Sequence, residues 1–145
     1  MRAAYATAYG SPEVIRITEV PTPVPKANEL LIRIHASAMN AADWRLRRAD
    51  PWLVRLVFGP FKPRKPILGV VFAGEVVETG AQVTKYKQGD RLFGWTSIMG
   101  LGGHAEYIAL KESGALARIP SGMFYNEGVA MRYGSGTGRI FSSRA

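Results

Sequence analysis

Glycine and proline cut this chain into pieces too short for long helices and well suited to strands. From Ile67 to Gly80 the sequence reads Ile-Leu-Gly-Val-Val-Phe-Ala-Gly-Glu-Val-Val-Glu-Thr-Gly, rich in β-branched residues and broken at Gly69, Gly74 and Gly80. β-Branched side chains suit a pleated surface, and a glycine inside a strand marks a bend or a close backbone approach, as at barrel corners. The same punctuation runs through the first two-thirds of the chain. Arg2 to Ala8 and Val14 to Val20 flank a Gly10-Ser11-Pro12 turn and read as a hairpin. Pro21, Pro23 and Pro25 form a stiff connector without backbone donors. Leu30, Ile32, Ile34, Ala36 and Ala38 then alternate with Leu31, Arg33, His35 and Ser37, which predicts a half-buried strand with the first set on one face. Arg91 to Trp95 follows a Gly89-Asp90 turn, and His104 to Leu110 reads as another strand.

Short helices interrupt this pattern. Asn40 suits an N-cap for a helix running to about Arg48, and Asp50-Pro51 reads as N-cap and first residue of a second helix that Gly59 ends. From Tyr125 the pattern is helical again, although Gly134, Gly136 and Gly138 weaken it. Many short strands joined by Gly and Pro turns predict a mainly β fold, a small sandwich or partly open barrel. The βαβ alternation of a doubly wound nucleotide-binding sheet is missing.

Composition narrows the function. With 145 residues, 47% of them hydrophobic, the chain suits one globular domain. Having no Cys, it offers no disulfide, no thiolate zinc ligand and no thiol nucleophile. No apolar run is long enough to span a bilayer, and the N-terminus lacks the apolar core of a signal peptide, so a soluble cytoplasmic protein with no membrane partner is expected. The net charge of +8 is concentrated: residues 45–65 carry seven basic side chains and one acid, and the last fifteen residues add Arg132, Arg139 and Arg144. Trp44, Trp52 and Phe58 lie within or beside the first segment, but their spacing among Leu and Val reads as the apolar side of short helices. A solvated basic face, with no nucleic-acid partner, is the expectation.

Four segments together resemble the N-terminal half of the medium-chain dehydrogenase/reductase superfamily: MRAAYATAYGSPEVIRITEVPTPVP, LLIRIHASAMNAADWRLRRADP, PILGVVFAGEVVETGAQVTKYKQGDRLFGW and GGHAEYIAL. The resemblance implies a GroES-like catalytic domain over residues 1–124, a partly open β-barrel with short helices. It further implies that residues 125–145 begin the family's C-terminal linking helix, and that the Rossmann cofactor domain is absent from this chain. Zinc members of the superfamily place a Cys at the position of Asn40 and a His-Glu pair at Val70 and Val71. Valine has no lone pair to give, so no metal site is expected. The Asn-x-x-Asp pattern of Asn40 and Asp43 instead resembles the zinc-free, quinone oxidoreductase-like branch.

Carried onto this sequence, the resemblance implies that Asn40 and Thr137 approach the nicotinamide of NADPH, and that Asp43, Trp44 and Trp95 belong to the substrate pocket. Each has a plainer reading: Asn40 as a helix cap, Asp43 as a favourable charge in the first helical turn, the tryptophans as core. His104 stands where relatives carry Phe, Tyr or Ser, and is expected to be a partly exposed strand residue. The implied activity is hydride transfer to a quinone, enone or aldehyde by the intact parent, with NAD(P)H as reductant. This chain alone is expected to bind no cofactor and to be inactive, and to pair as a homodimer through the face left open. The alternative is a non-enzymatic GroES-like protein-binding module.

Overall fold

The computed structural model describes residues 1–97 and 100–134, with the side chains of residues 131–134 left aside. Its strands are β1 (Arg2–Ala6), β2 (Ile15–Glu19), β3 (Glu29–Ala38), β4 (Val71–Thr79), β5 (Arg91–Trp95), β6 (Tyr107–Lys111) and β7 (Ala115–Arg118). Its α-helices are α1 (Ala41–Arg48), α2 (Val54–Phe58) and α3 (Tyr125–Gly134). β1 and β2 form an antiparallel hairpin, and the other five strands form one antiparallel sheet in the order β6-β3-β4-β5-β7. The chain adopts the expected mainly β fold with few short helices, the partly open barrel taking the form of a curled half-barrel sheet.

Both faces of the sheet are buried, as the strand periodicity of β4 dictates. Val71 and Ala73 point to one side, with Leu46 of α1, Phe93 and Val129 of α3. Phe72 and Val76 point to the other, with Leu30, Ile32 and Leu92. Ile108 from edge strand β6 and Leu116 from edge strand β7 join this second cluster, so the sheet curls far enough for its two edges to share a core.

Three features depart from the sequence expectation. First, β3 does not keep one set of residues on one face. Ile34 pairs with Gly74 but Ala36 pairs with Ala73, leaving His35 as an extra residue. The bulge switches the pleat: Leu30, Ile32 and Ile34 join one core, whereas Ala36 and Ala38 pack against the other. Second, Pro51 does not open α2. The Asp50–Pro51 peptide is cis, a turn with Val54 N–H donating to Pro51 O follows, and α2 begins only at Val54. Third, the strand expected at His104 starts at Tyr107, because the backbone of residues 103–106 bonds to other partners. Gly103 N–H donates to Gly69 O, His104 N–H to Leu68 O and Glu106 N–H to Arg2 O.

Gly69 makes this crossing possible. Its φ is +96°, and a β-carbon there would lie 2.5 Å from the His104 nitrogen. The backbones of Gly69 and Gly103 therefore pass in contact, bringing the segment before β4 and the segment before β6 under the start of α1.

Candidate functional site

Helix α1 starts where β3 ends, and its N-terminus is closed by two side chains. Asn40 is in an extended conformation, and its Oδ1 accepts from Ala42 N–H at 2.7 Å and Asp43 N–H at 3.4 Å. Asp43 reciprocates, its Oδ2 accepting from Asn40 N–H at 2.9 Å. This capping box satisfies amide protons that a helix start otherwise leaves unpaired. It also holds Asn40 by side chain and backbone together, while the Asn40 amide nitrogen takes no part in these bonds.

Asp43 does more than cap. Only 2% of it is exposed, and its Oδ1 accepts from Gly69 N–H at 2.9 Å. The Oδ2 atom faces His104 Nε2 at 3.6 Å. On the other side of that ring, His104 Nδ1 and Ser37 Oγ share a hydrogen bond of 2.8 Å, and Ser37 Oγ donates to Val71 O. Burial by itself pushes the Asp43 carboxyl up. The His104 ring and the N–H groups of Asn40 and Gly69 outweigh burial and hold it below the usual aspartate range. The carboxylate thus pins α1, the Gly69 turn and the His104 segment at one point.

The structure brings Asn40 and Asp43 together and separates the other expected pocket residues. The Asp43 side chain, in the first turn of α1, is buried with both oxygens engaged, so its geometry is that of a support for Asn40. Trp44 is 38% exposed, with the guanidinium groups of Arg45 and Arg48 5.6 and 6.0 Å from its ring. Trp95 closes β5 and lines an open cavity of ≈ 760 Å³ with Thr96, Ser97, Leu101 and Leu116, which Trp44 does not border. Thr137 lies outside the described residues. Val70 and Val71, which the resemblance sets against a His-Glu pair of zinc members, are 3% and 5% exposed and belong to the apolar core. Among the described residues no three His, Asp or Glu side chains gather as a metal site.

Sequence reasoning missed the partner of His104. The ring is largely buried against Asp43 and Ser37 and is not part of a strand. It also borders a shallow groove of ≈ 430 Å³ together with Ser37, Ile34, Ile17, Arg2 and Glu106. A histidine and a serine inside otherwise conventional strand patterning were the available signal, but neither identifies a carboxylate on a distant helix. His35 stacks on Tyr125 of α3 with ring centroids 4.4 Å apart, and the Arg91 guanidinium covers the same tyrosine at 4.6 Å.

Known proteins share this fold. A quinone-oxidoreductase homolog, chloroplastic, from Spinacia oleracea is 36% identical over 123 residues, 83% of this chain and 35% of the relative. The structure of the quinone oxidoreductase from Coxiella burnetii superposes with a TM-score of 0.79 at 24% identity, over 90% of this chain and 40% of that one. A mycobacterial protein complexed with NADPH superposes with a TM-score of 0.72 at 26% identity, over 90% of this chain and 37% of that one. The chain therefore spans about a third of the length of the curated relative. The alcohol dehydrogenase GroES-like domain matches residues 26–121, from the connector before β3 to the turn after β7. With its half-barrel, its capped α1 and its glycine landmarks in that domain's order, the chain belongs to the alcohol dehydrogenase GroES-like domain family, within the medium-chain dehydrogenase/reductase superfamily.

Proposed function

We propose that this domain supplies the substrate side and part of the nicotinamide side of a zinc-free, NADPH-dependent reductase acting on quinones, enones or aldehydes. Asn40 carries the reading. Its carbonyl oxygen is committed to the helix start and its backbone N–H to Asp43, so the remaining amide nitrogen is a donor held in a fixed place. NADPH, when bound, supplies the hydride. Transfer to a conjugated carbonyl depends mainly on holding donor and acceptor in line, which asks the protein for positioning more than for acid–base groups. Asn40 donates toward the nicotinamide end, Asp43 keeps Asn40 oriented, and the cavity lined by Trp95 at the end of β5 offers the substrate space, with Trp44 outside it. Thr137, outside the described residues, enters this reading only through the family resemblance. The names of the relatives, quinone oxidoreductases and an NADPH complex, support substrate class and cofactor.

The described residues hold no glycine-rich strand-to-helix turn for a pyrophosphate. The 145-residue chain by itself is therefore proposed to bind NADPH too weakly for turnover. The test uses a fusion that joins these residues to the nucleotide-binding domain of a quinone oxidoreductase. In it, Asn40→Ala lowers the single-turnover rate of hydride transfer about tenfold or more, while stability falls by only about 1 kcal/mol for the lost cap. An unchanged hydride-transfer rate in a folded variant removes Asn40 from the site.

A further inference from the structure

The segment between α1 and β4 holds its apolar residues on the wrong side for a core. In α2, Val54 and Phe58 are one turn apart and pack inward against the sheet. Leu53, Leu56 and Val57 fall on a separate arc of the same turn and face water, joined by Trp52 and Phe61. Exposure reaches 67% at Trp52, 66% at Leu56 and 89% at Phe61. Five large exposed apolar side chains within ten residues exceed the scattered single exposures usual on a soluble surface. Basic residues border them: Arg48, Arg55, Lys62 and Arg64 are all exposed, against the single acid Asp50. The Arg55 guanidinium rests on the Tyr9 ring at 5.3 Å, and the Tyr9 hydroxyl donates to Gly59 O, so the segment is fixed to the body of the domain.

A short helix that turns Leu56 and Val57 outward, flanked by exposed Trp52 and Phe61 and by arginine and lysine, has the chemistry of an interfacial anchor. The apolar side chains suit the boundary between headgroups and acyl chains, and the surrounding positive charge complements anionic lipid. We propose that residues 52–64 dock this domain on the surface of an anionic phospholipid membrane, with Trp52, Leu56 and Phe61 inserted. The sequence reading placed the aromatic residues of this segment on the apolar sides of short helices; in the structure Phe58 packs inward, whereas Trp52 precedes α2 and faces water. Docking is peripheral: no described helix is long and apolar enough to cross a membrane. The inference stands on this patch alone and does not depend on the reductase reading.

Sedimentation of the chain with vesicles tests it. Binding is expected to phosphatidylcholine vesicles containing phosphatidylserine and not to phosphatidylcholine alone, with release as salt is raised. Leu56→Gln with Phe61→Ser, both at exposed positions, is expected to weaken partitioning about tenfold or more, as is Lys62→Glu with Arg64→Glu. Val24→Ser, an exposed apolar position in the proline connector, leaves it unchanged. Independently of any folding defect in these variants, tryptophan emission of the parent chain shifts to the blue on anionic vesicles, and Trp52→Phe abolishes the shift. Absence of binding to anionic vesicles overturns the proposal. So does equal binding by the Leu56→Gln/Phe61→Ser variant, a homodimer that this variant dissolves, or binding of duplex DNA in place of vesicles.

Discussion

A carboxylate taken out of water persists only where donors replace its hydration. Asp43 receives N–H bonds from Asn40 and Gly69 and faces the His104 ring, and the net result is a carboxyl below its ordinary pKa. Asp43→Asn keeps the shape but loses the charge and turns one acceptor into a donor aimed at a backbone N–H. A loss of about 2–4 kcal/mol is expected, measured by urea unfolding at neutral pH. The sign of the pH dependence follows from the lowered folded pKa. Stability from Asp43 is complete above its ordinary value of 3.8 and is lost as pH falls through the lower folded value. Glu106 and Glu112 are lowered too, the first by Arg2 and the second by the N–H groups of Lys85 and Thr84. Asp43→Asn therefore makes the acid limb of the stability curve shallower without removing it.

Between elements, the critical contact is the crossing of Gly69 and Gly103. Gly69→Ala forces an alanine into a left-handed conformation and drives its β-carbon against the His104 backbone. A loss of about 3 kcal/mol or more is expected in the same unfolding assay, with Asp43 losing the alignment of its Gly69 bond. This is also the scale that separates what the sequence reveals from what it hides. Strand β4 was legible because β-branched residues and glycine landmarks are local, and the Asn40 cap because its partners lie within three residues. The β3 bulge was not: the alternation around His35 is unbroken in sequence, and only pairing with Gly74 and Ala73 makes one residue surplus. β7 was not either, since Ala115–Arg118 is four residues long and exists as a strand only through its ladder with β5. In the site, Asn40 and Asp43 were named together, whereas the His104 and Ser37 side of the carboxylate needed the fold to bring three separate segments into contact.

For the whole molecule, the two clusters share one sheet, and α3 covers part of the outer one with Val129 buried at 5% exposure. Met39 and Trp44 beside the candidate site stay exposed. We propose that a homodimer covers these two residues, as a two-fold contact uses one patch twice. Light scattering is expected to give the mass of two chains and Trp44→Asp to return a monomer; a monomer at all concentrations contradicts this. The proposed function, zinc-free reduction with Asn40, Val70 and Val71 at the positions that the resemblance sets against zinc ligands, is tested most directly in the fusion with a quinone oxidoreductase nucleotide-binding domain. After dialysis against a chelator and elemental analysis of the same sample, NADPH oxidation by a benzoquinone is measured. Turnover undiminished in protein free of zinc is the predicted result; a stoichiometric zinc that survives the chelator, or activity that returns only when zinc is added, would contradict it.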